Sequence, residues 1–249
     1  MKTGRLKGFY VYDTAQELFR SAARVLLELC NEEISRKGFF TVVLSGGSTP
    51  SGLYELLASG EFRSRVPWKD VHLFWGDERC VDPGHPDSNY GMAERVLLSK
   101  VPVPEGNLHR MRGEAEPEAA ARGYEEEIRG FFGRMGVEGP PSFDLLLLGL
   151  GTDGHTLSLF PGTPALAETE RLVVALPVGG GFRLTMTLPL VNNARTAVFL
   201  VTGQRKAEIL RRVMEEDGAR MPAQSVRPSS GNRLWLVDRD AASGVLKRE

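Results

Sequence analysis

One histidine in this chain stands where a proton-transfer base would be useful. His155 lies in the stretch Leu148-Gly149-Leu150-Gly151-Thr152-Asp153-Gly154-His155-Thr156, directly after the apolar run Phe143 to Leu148. Neutral imidazole is the side chain best matched to general-base work near neutral pH. Asp153, two residues earlier, can orient the ring and favour its charged form as a proton arrives. A histidine here can also do no more than cap the following turn, but its place at the end of an apolar strand favours chemistry. Gly149, Gly151 and Gly154 match the dinucleotide pattern GxGxxG as well. That reading fails, because Pro161 and Gly162 leave too few residues for the long helix, and Asp153 would set a carboxylate against a pyrophosphate.

Two other strand ends carry unusual residues. Ser45-Gly46-Gly47-Ser48-Thr49-Pro50 joins an apolar run to a helix bearing Leu53, Leu56 and Leu57. Its glycines let the backbone turn sharply and approach a ligand. Ser48 or Thr49 can cap the helix, whose free amides favour an anion by about 0.3–1 kcal/mol through the terminus field alone. An ordinary strand-to-helix turn uses the same residue types, and without a following Gly-Lys-Ser/Thr this is not a Walker A loop. The second stretch is Gly76-Asp77-Glu78-Arg79, followed by His85-Pro86-Asp87-Ser88-Asn89. An acidic pair with an arginine can bind a sugar hydroxyl and a phosphate. The alternative is a surface ion pair, with Asp87 or Ser88 capping the next helix. The four histidines His72, His85, His109 and His155 show no metal-ligand spacing, and there is no GxSxG or HExxH. His72 reads as a core or sheet-face residue, and His109 as a solvated residue of an arginine-flanked loop.

These strand ends need a scaffold, and the hydrophobic pattern supplies one. Gly8 to Tyr12 reads as an opening strand, and Thr14 with Glu17 forms a capping-box pattern ahead of Leu18, Ala22, Val25, Leu26 and Leu29. Phe39 to Leu44, Val71 to Trp75 and Phe143 to Leu148 are continuous apolar runs, as expected for parallel strands buried on both faces. Leu172 to Leu176, Ala197 to Val201 and Leu234 to Val237 follow. Helical stretches lie at Ser88 to Ser99, Pro117 to Met135 and Gln204 to Glu216. Alternating strand and helix predict an α/β fold: an open, mostly parallel, doubly wound sheet with helices on both faces. Gly136 to Pro141 is a short connecting loop, so residues 1–249 read as one domain.

With 249 residues, 31 Lys+Arg against 32 Asp+Glu and 41% hydrophobic residues, the chain has ample material for a core and a formal net charge of -1. That balance gives no electrostatic reason to expect a nucleic-acid or anionic-membrane partner. No apolar run approaches the roughly 18 residues needed to cross a bilayer. Met1 to Tyr12 lacks the apolar core of a secretory signal. Cys30 and Cys80 read as reduced thiols, which together with the missing signal suggests a cytoplasmic protein. Nothing suggests a coiled coil or an exposed apolar stripe, so a monomer is the default expectation.

Taken together, Ser45 to Pro50, Gly76 to Arg79 with His85 to Tyr90, and Gly149 to Gly162 resemble the 6-phosphogluconolactonases. The similarity continues in collinear order through Arg183-Leu184-Thr185-Met186-Thr187, Pro222-Ala223 and the strand Trp235 to Asp238. This resemblance implies a modified Rossmann-like fold shared with glucosamine-6-phosphate deaminase, ribose-5-phosphate isomerase and the CoA transferases. It also implies hydrolysis of 6-phosphoglucono-1,5-lactone without metal or organic cofactor, the small-molecule substrate being the only partner. On that basis His155 and Asp153 are the catalytic pair, and Ser45, Gly46, Gly47, Ser48, Thr49, Asp77, Arg79, Asn89, Gly151 and Arg183 surround the substrate. Backbone amides near Gly46 or near Gly151 would stabilise the oxyanion. The deaminases carry Asn-Glu-Pro where this chain has Ser158 to Pro161, and a DNA-binding regulator would need a segment not expected before Gly8. One departure stands out: many relatives have a lysine ahead of the Arg-Leu-Thr motif, where this chain reads Pro177-Val178-Gly179-Gly180-Gly181-Phe182. Arg183 can take over the phosphate there, with the glycines as a mobile flap or as a plain turn.

Overall fold

Strand and helix alternate along most of the chain, as its apolar runs require. The computed structural model describes residues 8–215, 221–228 and 231–246; most of the N-terminal stretch and Glu216, the last residue of an expected helix, lie outside them. In chain order the elements are β1 (Phe9–Tyr12), α1 (Ala15–Lys37), β2 (Phe40–Leu44), α2 (Ser48–Leu57), β3 (Val71–Trp75) and β4 (Asp77–Arg79). Next come α3 (Asn89–Val96), β5 (Leu108–His109), α4 (Pro117–Arg134), β6 (Leu145–Leu148), β7 (Val173–Val178) and β8 (Gly181–Met186). The described chain closes with α5 (Leu188–Val191), β9 (Thr196–Val201), α6 (Ala207–Glu215), α7 (Pro222–Ser225), β10 (Asn232–Asp238) and α8 (Arg239–Leu246).

Seven strands form one parallel sheet in the order β1-β10-β9-β6-β2-β3-β5. Every residue of β2, β6 and β9 is buried, which is why these runs show no polar alternation. From β2 the chain steps outward to β3 and β5; from β6 it steps the other way, to β9 and β10. Right-handed crossovers running in opposite directions put their helices on opposite faces and open a crevice at the strands' carboxyl ends between β2 and β6. The loops that begin at Ser45 and Gly149 leave from the two sides of that crevice. Helix α1 starts as its sequence pattern predicts, with the Thr14 hydroxyl accepting the Glu17 amide, while the Glu17 carboxylate accepts from Asp13 rather than from Thr14.

Two expectations change, and one open choice is decided. The expected strand Leu172 to Leu176 is found as β7, beginning at Val173, but this strand joins a second, antiparallel sheet of order β4-β8-β7 instead of the parallel one. Gly179 and Gly180 form a turn, one of the two expected readings: both have positive φ, 61° and 82°, as a tight two-residue hairpin turn between β7 and β8 requires. His109 is not solvated but lies on β5 with 5% of its surface exposed. Its ring stacks 4.2 Å from Phe74, because β5 pairs with β3 and α4 covers both with Phe131.

His109 also links two further polar groups. Its Nδ1 lies 2.7 Å from Glu127 Oε1 and its Nε2 lies 3.1 Å from His72 Nδ1. A neutral His109 that donates to Glu127 has an acceptor at Nε2, so His72 must donate from Nδ1. Burial, with His109 beside it, pushes the His72 pKa down to about 4, and Asp70 only partly opposes this. Burial lowers His109 as well, against the pull of Glu127. The unfolded chain therefore takes up protons first as pH falls from about 6.5 towards 4, and stability falls with it. The expected loss is about 1–2 kcal/mol after solvent screening, measured as a falling urea midpoint. His72→Gln keeps a donor towards His109 without titrating, so its slope over this range should be shallower; an unchanged slope would place the acid loss elsewhere.

Candidate active site

A cleft of about 360 Å³ opens at the carboxyl ends of β2 and β6. Ser45 to Thr49, Asp77, Arg79, Asn89, Gly151, His155 and Arg183 all line it, so three separated motifs meet in one place. Asp153 stands behind the imidazole, its Oδ1 2.5 Å from His155 Nδ1 and 3.1 Å from the His155 amide. Burial raises the Asp153 pKa, but its bonds to the His155 amide and ring outweigh that and hold the carboxyl below its usual range. With Nδ1 given to Asp153, Nε2 of neutral His155 is the acceptor. Phe160 packs against the ring at 4.5 Å.

Gly151 makes this pairing possible. A Cβ there would fall 2.2 Å from His155 Nδ1 and 2.7 Å from Asp153 Oδ1. Its amide donates to the His155 carbonyl at 2.8 Å, and that of Gly154 donates to the Gly151 carbonyl. Those two amides hold the turn, so neither is free to serve as the oxyanion donor expected near Gly151.

The second motif is buried rather than a surface ion pair. Asp77 and Glu78 are 7% and 2% exposed. Burial pushes both carboxyls upward; Ser158 opposes this at Asp77, and the amides of Tyr90, Asn89 and Arg79 oppose it at Glu78. Ser158 Oγ donates to Asp77 at 2.6 Å. Glu78 accepts from the amides of Arg79, Asn89 and Tyr90 at 2.7–2.8 Å and from the Ser88 hydroxyl at 3.1 Å. Ser88 caps α3, as one expectation had it. Asn89 donates to Asp77 and accepts from Arg79 at 2.8 Å, so it is engaged in holding the arginine. Gly46 must be glycine for the same reason, since a Cβ would land 1.8 Å from Asn89 Oδ1.

Across the antiparallel pair, Arg79 stands directly opposite Arg183. Like charges in that relation repel. Burial lowers the Arg183 pKa, with Arg79 as the next cause. Helix α2 adds positive potential: its N-cap is Gly47, and no side chain caps it. Neither Ser48 nor Thr49 takes that role, because both lie inside the helix and the Thr49 hydroxyl bonds Thr202 at 2.6 Å. Ser45 is engaged elsewhere too, donating its hydroxyl to Leu147 and its amide to Tyr54. Lys206, at the carboxyl end of β9, also lines the cleft; burial lowers its pKa while Asp153 raises it. Sequence reasoning passed over it, although Thr202-Gly203-Gln204-Arg205-Lys206 is a strand end like the other three. Among the described residues no cluster of three or more His, Cys, Asp or Glu could hold a metal ion, and no helix is long and apolar enough to cross a membrane.

A family profile described as glucosamine-6-phosphate isomerases/6-phosphogluconolactonase matches residues 13–235. The chain belongs to this family. A 6-phosphogluconolactonase from Synechocystis is 46% identical over 215 residues, covering 85% of this chain and 87% of the relative. A crystal structure titled devB protein superposes with a TM-score of 0.86 at 36% identity, covering 96% of this chain and 99% of that one. A monomeric glucosamine-6-phosphate deaminase shares the fold, with a TM-score of 0.79 at 21% identity over 95% of this chain and 99% of that one. The α/β architecture is therefore the family's own.

Gly151→Ala tests the packing behind the imidazole. The neighbour in the way is a movable side chain, so the variant should fold with Tm within a few degrees of the native value. Its His155–Asp153 bond should break, seen as loss of the downfield ring N–H proton in NMR; survival of that signal would show that the glycine is not required.

Proposed function

We propose that this chain hydrolyses 6-phosphoglucono-1,5-lactone to 6-phosphogluconate, the reaction of the oxidative pentose phosphate pathway, with His155 as general base. One observation carries the reading: a carboxylate-oriented histidine shares a single cleft with an uncapped helix start and three cations, Arg79, Arg183 and Lys206. The names of the relatives agree with it.

The cations and the first amides of α2 hold the phosphate, where charge-assisted bonds are strongest. His155 Nε2 takes a proton from water as the water oxygen attacks the lactone carbonyl carbon. Asp153 keeps the ring oriented and stabilises the imidazolium. The tetrahedral intermediate then collapses, the bond to the ring oxygen breaks, and His155 returns the proton to that oxygen. Protein and proton count are restored, and the product is a hydroxy acid. A base so placed contributes about 10²–10⁴ in rate.

The test uses lactone generated freshly from glucose 6-phosphate, with its unaided opening subtracted. The native protein should accelerate its loss, and His155→Ala should lower turnover by about 10²–10⁴ while still binding 6-phosphogluconate. Full turnover in that variant would remove His155 from the mechanism. Separately, Arg183→Ala should raise KM about tenfold with little change in kcat; an unaltered KM would show that Arg183 does not touch the phosphate.

A further inference from the structure

His155 and Asp153 are not buried: 30% and 48% of their side-chain surfaces are exposed. A pair so open to water contributes little by itself, and exposed side chains change rotamer within nanoseconds. One bond at Nδ1 also leaves the imidazole free to turn about that bond. A base that must present Nε2 to a single water needs a second restraint.

The chain supplies one five residues on. Phe160 is half-buried, lines the cleft and packs on the His155 ring, with centroids 4.5 Å apart and planes tilted by 49°. A tight turn brings the two rings together. Thr156 and Leu159 pair as an antiparallel bridge, the Leu159 amide donating to the Thr156 carbonyl at 3.0 Å, so the chain doubles back directly after the histidine. Within the turn Ser158 is tied to Asp77 and Thr185, and Leu159 is fully buried. Beyond it, the Phe160 carbonyl accepts from the amide and the hydroxyl of Thr163. The phenylalanine is therefore anchored on both sides. The turn has a cost, since Leu157 has φ 54°, the only non-glycine residue among those described with positive φ, where a bulky side chain is strained. Strain of this kind persists only where the surrounding structure holds it, and it clusters at functional sites.

We propose that Phe160 is a positioning residue: the turn from Thr156 to Leu159 returns its ring onto His155, and that contact keeps Nδ1 on Asp153 and Nε2 aimed into the cleft. The inference rests on the hydrolytic reading above. Phe160 has no group that moves a proton, so its effect falls on the fraction of time the base is in place. That fraction scales kcat and leaves the hold of the cations on the phosphate unchanged.

Phe160→Ala should lower kcat about tenfold with KM within about twofold. In the same variant the downfield His155 ring N–H proton should broaden or vanish in NMR. Phe160→Leu refills the space, so it should keep the ring signal and a kcat within about threefold of native. A side chain that only packed the fold would change Tm without moving that signal. Native kcat in the Ala variant would overturn the proposal. So would a lower kcat with the ring signal intact, or a raised KM at native kcat, because Phe160 would then act on the substrate and not on the base. Should the Ala variant not fold, the Leu variant carries the test, and loss of kcat without loss of the ring signal, or the reverse, would overturn the proposal. If the native protein bound 6-phosphogluconate but left the lactone untouched, the hydrolytic reading would fall. The ring signal in Phe160→Ala would still decide whether Phe160 holds the imidazole, so the two failures are distinguishable.

Discussion

Glu78 accepts hydrogen bonds from the amides of Arg79, Asn89 and Tyr90 and from the Ser88 hydroxyl, so one buried carboxylate joins β4 to the start of α3. The placing of Arg79 on the cationic side of the cleft follows from that join. It fixes Asn89, whose side chain bridges Asp77 and Arg79, and so aims the arginine. The backbone pairing of β4 with β8 then brings Arg183 opposite Arg79. Two half-buried guanidiniums side by side are unfavourable until an anion lies between them. A doubly charged phosphate would offset that repulsion, as the proposed function requires.

The small antiparallel sheet is tied to the large parallel one at the edge of the cleft. Gly76 donates to the Leu44 carbonyl and accepts from the Met186 amide, joining β2, β3 and β8 within one residue. It has no room for a side chain, because a Cβ would meet Leu157 at 2.5 Å. Ser158 closes the circuit, linking the histidine turn to Asp77 and Thr185. His155, the arginine pair and the helix start are thus parts of one packed unit. Such rigidity keeps reacting groups within the small tolerances that catalysis needs.

Much of this was legible in the residues, for identifiable reasons. Apolar runs without alternation can only be strands covered on both faces, so the parallel sheet was readable, and ligands gather at its carboxyl edge. That rule found Ser45 to Thr49, Asp77 with Arg79, and Asp153 with His155. It missed Lys206 because the strand end at Thr202 carries no glycine pair or acidic cluster to draw attention. His109 was misplaced because flanking arginines suggested solvent, whereas the edge pairing of β5 with β3 buries the ring against Phe74. Composition left Gly179 and Gly180 open between a flap and a turn, because only the pairing of β7 with β8 shows that both glycines sit in a two-residue hairpin turn with positive φ. Asn89, Ser45 and Gly151 were expected at the site and line the cleft, yet the contacts they make there depend on tertiary packing that spacing does not encode.

The claim at the centre is that the cleft is built around a phosphate-bearing sugar acid. A calorimetric titration with 6-phosphogluconate and, in parallel, with gluconate tests it without any dependence on turnover. A cleft whose arginines, lysine and helix start await a phosphate should bind 6-phosphogluconate at least about 100-fold more tightly than gluconate, with the advantage shrinking as salt is added. Equal affinity for the two, or an advantage indifferent to salt, would contradict it.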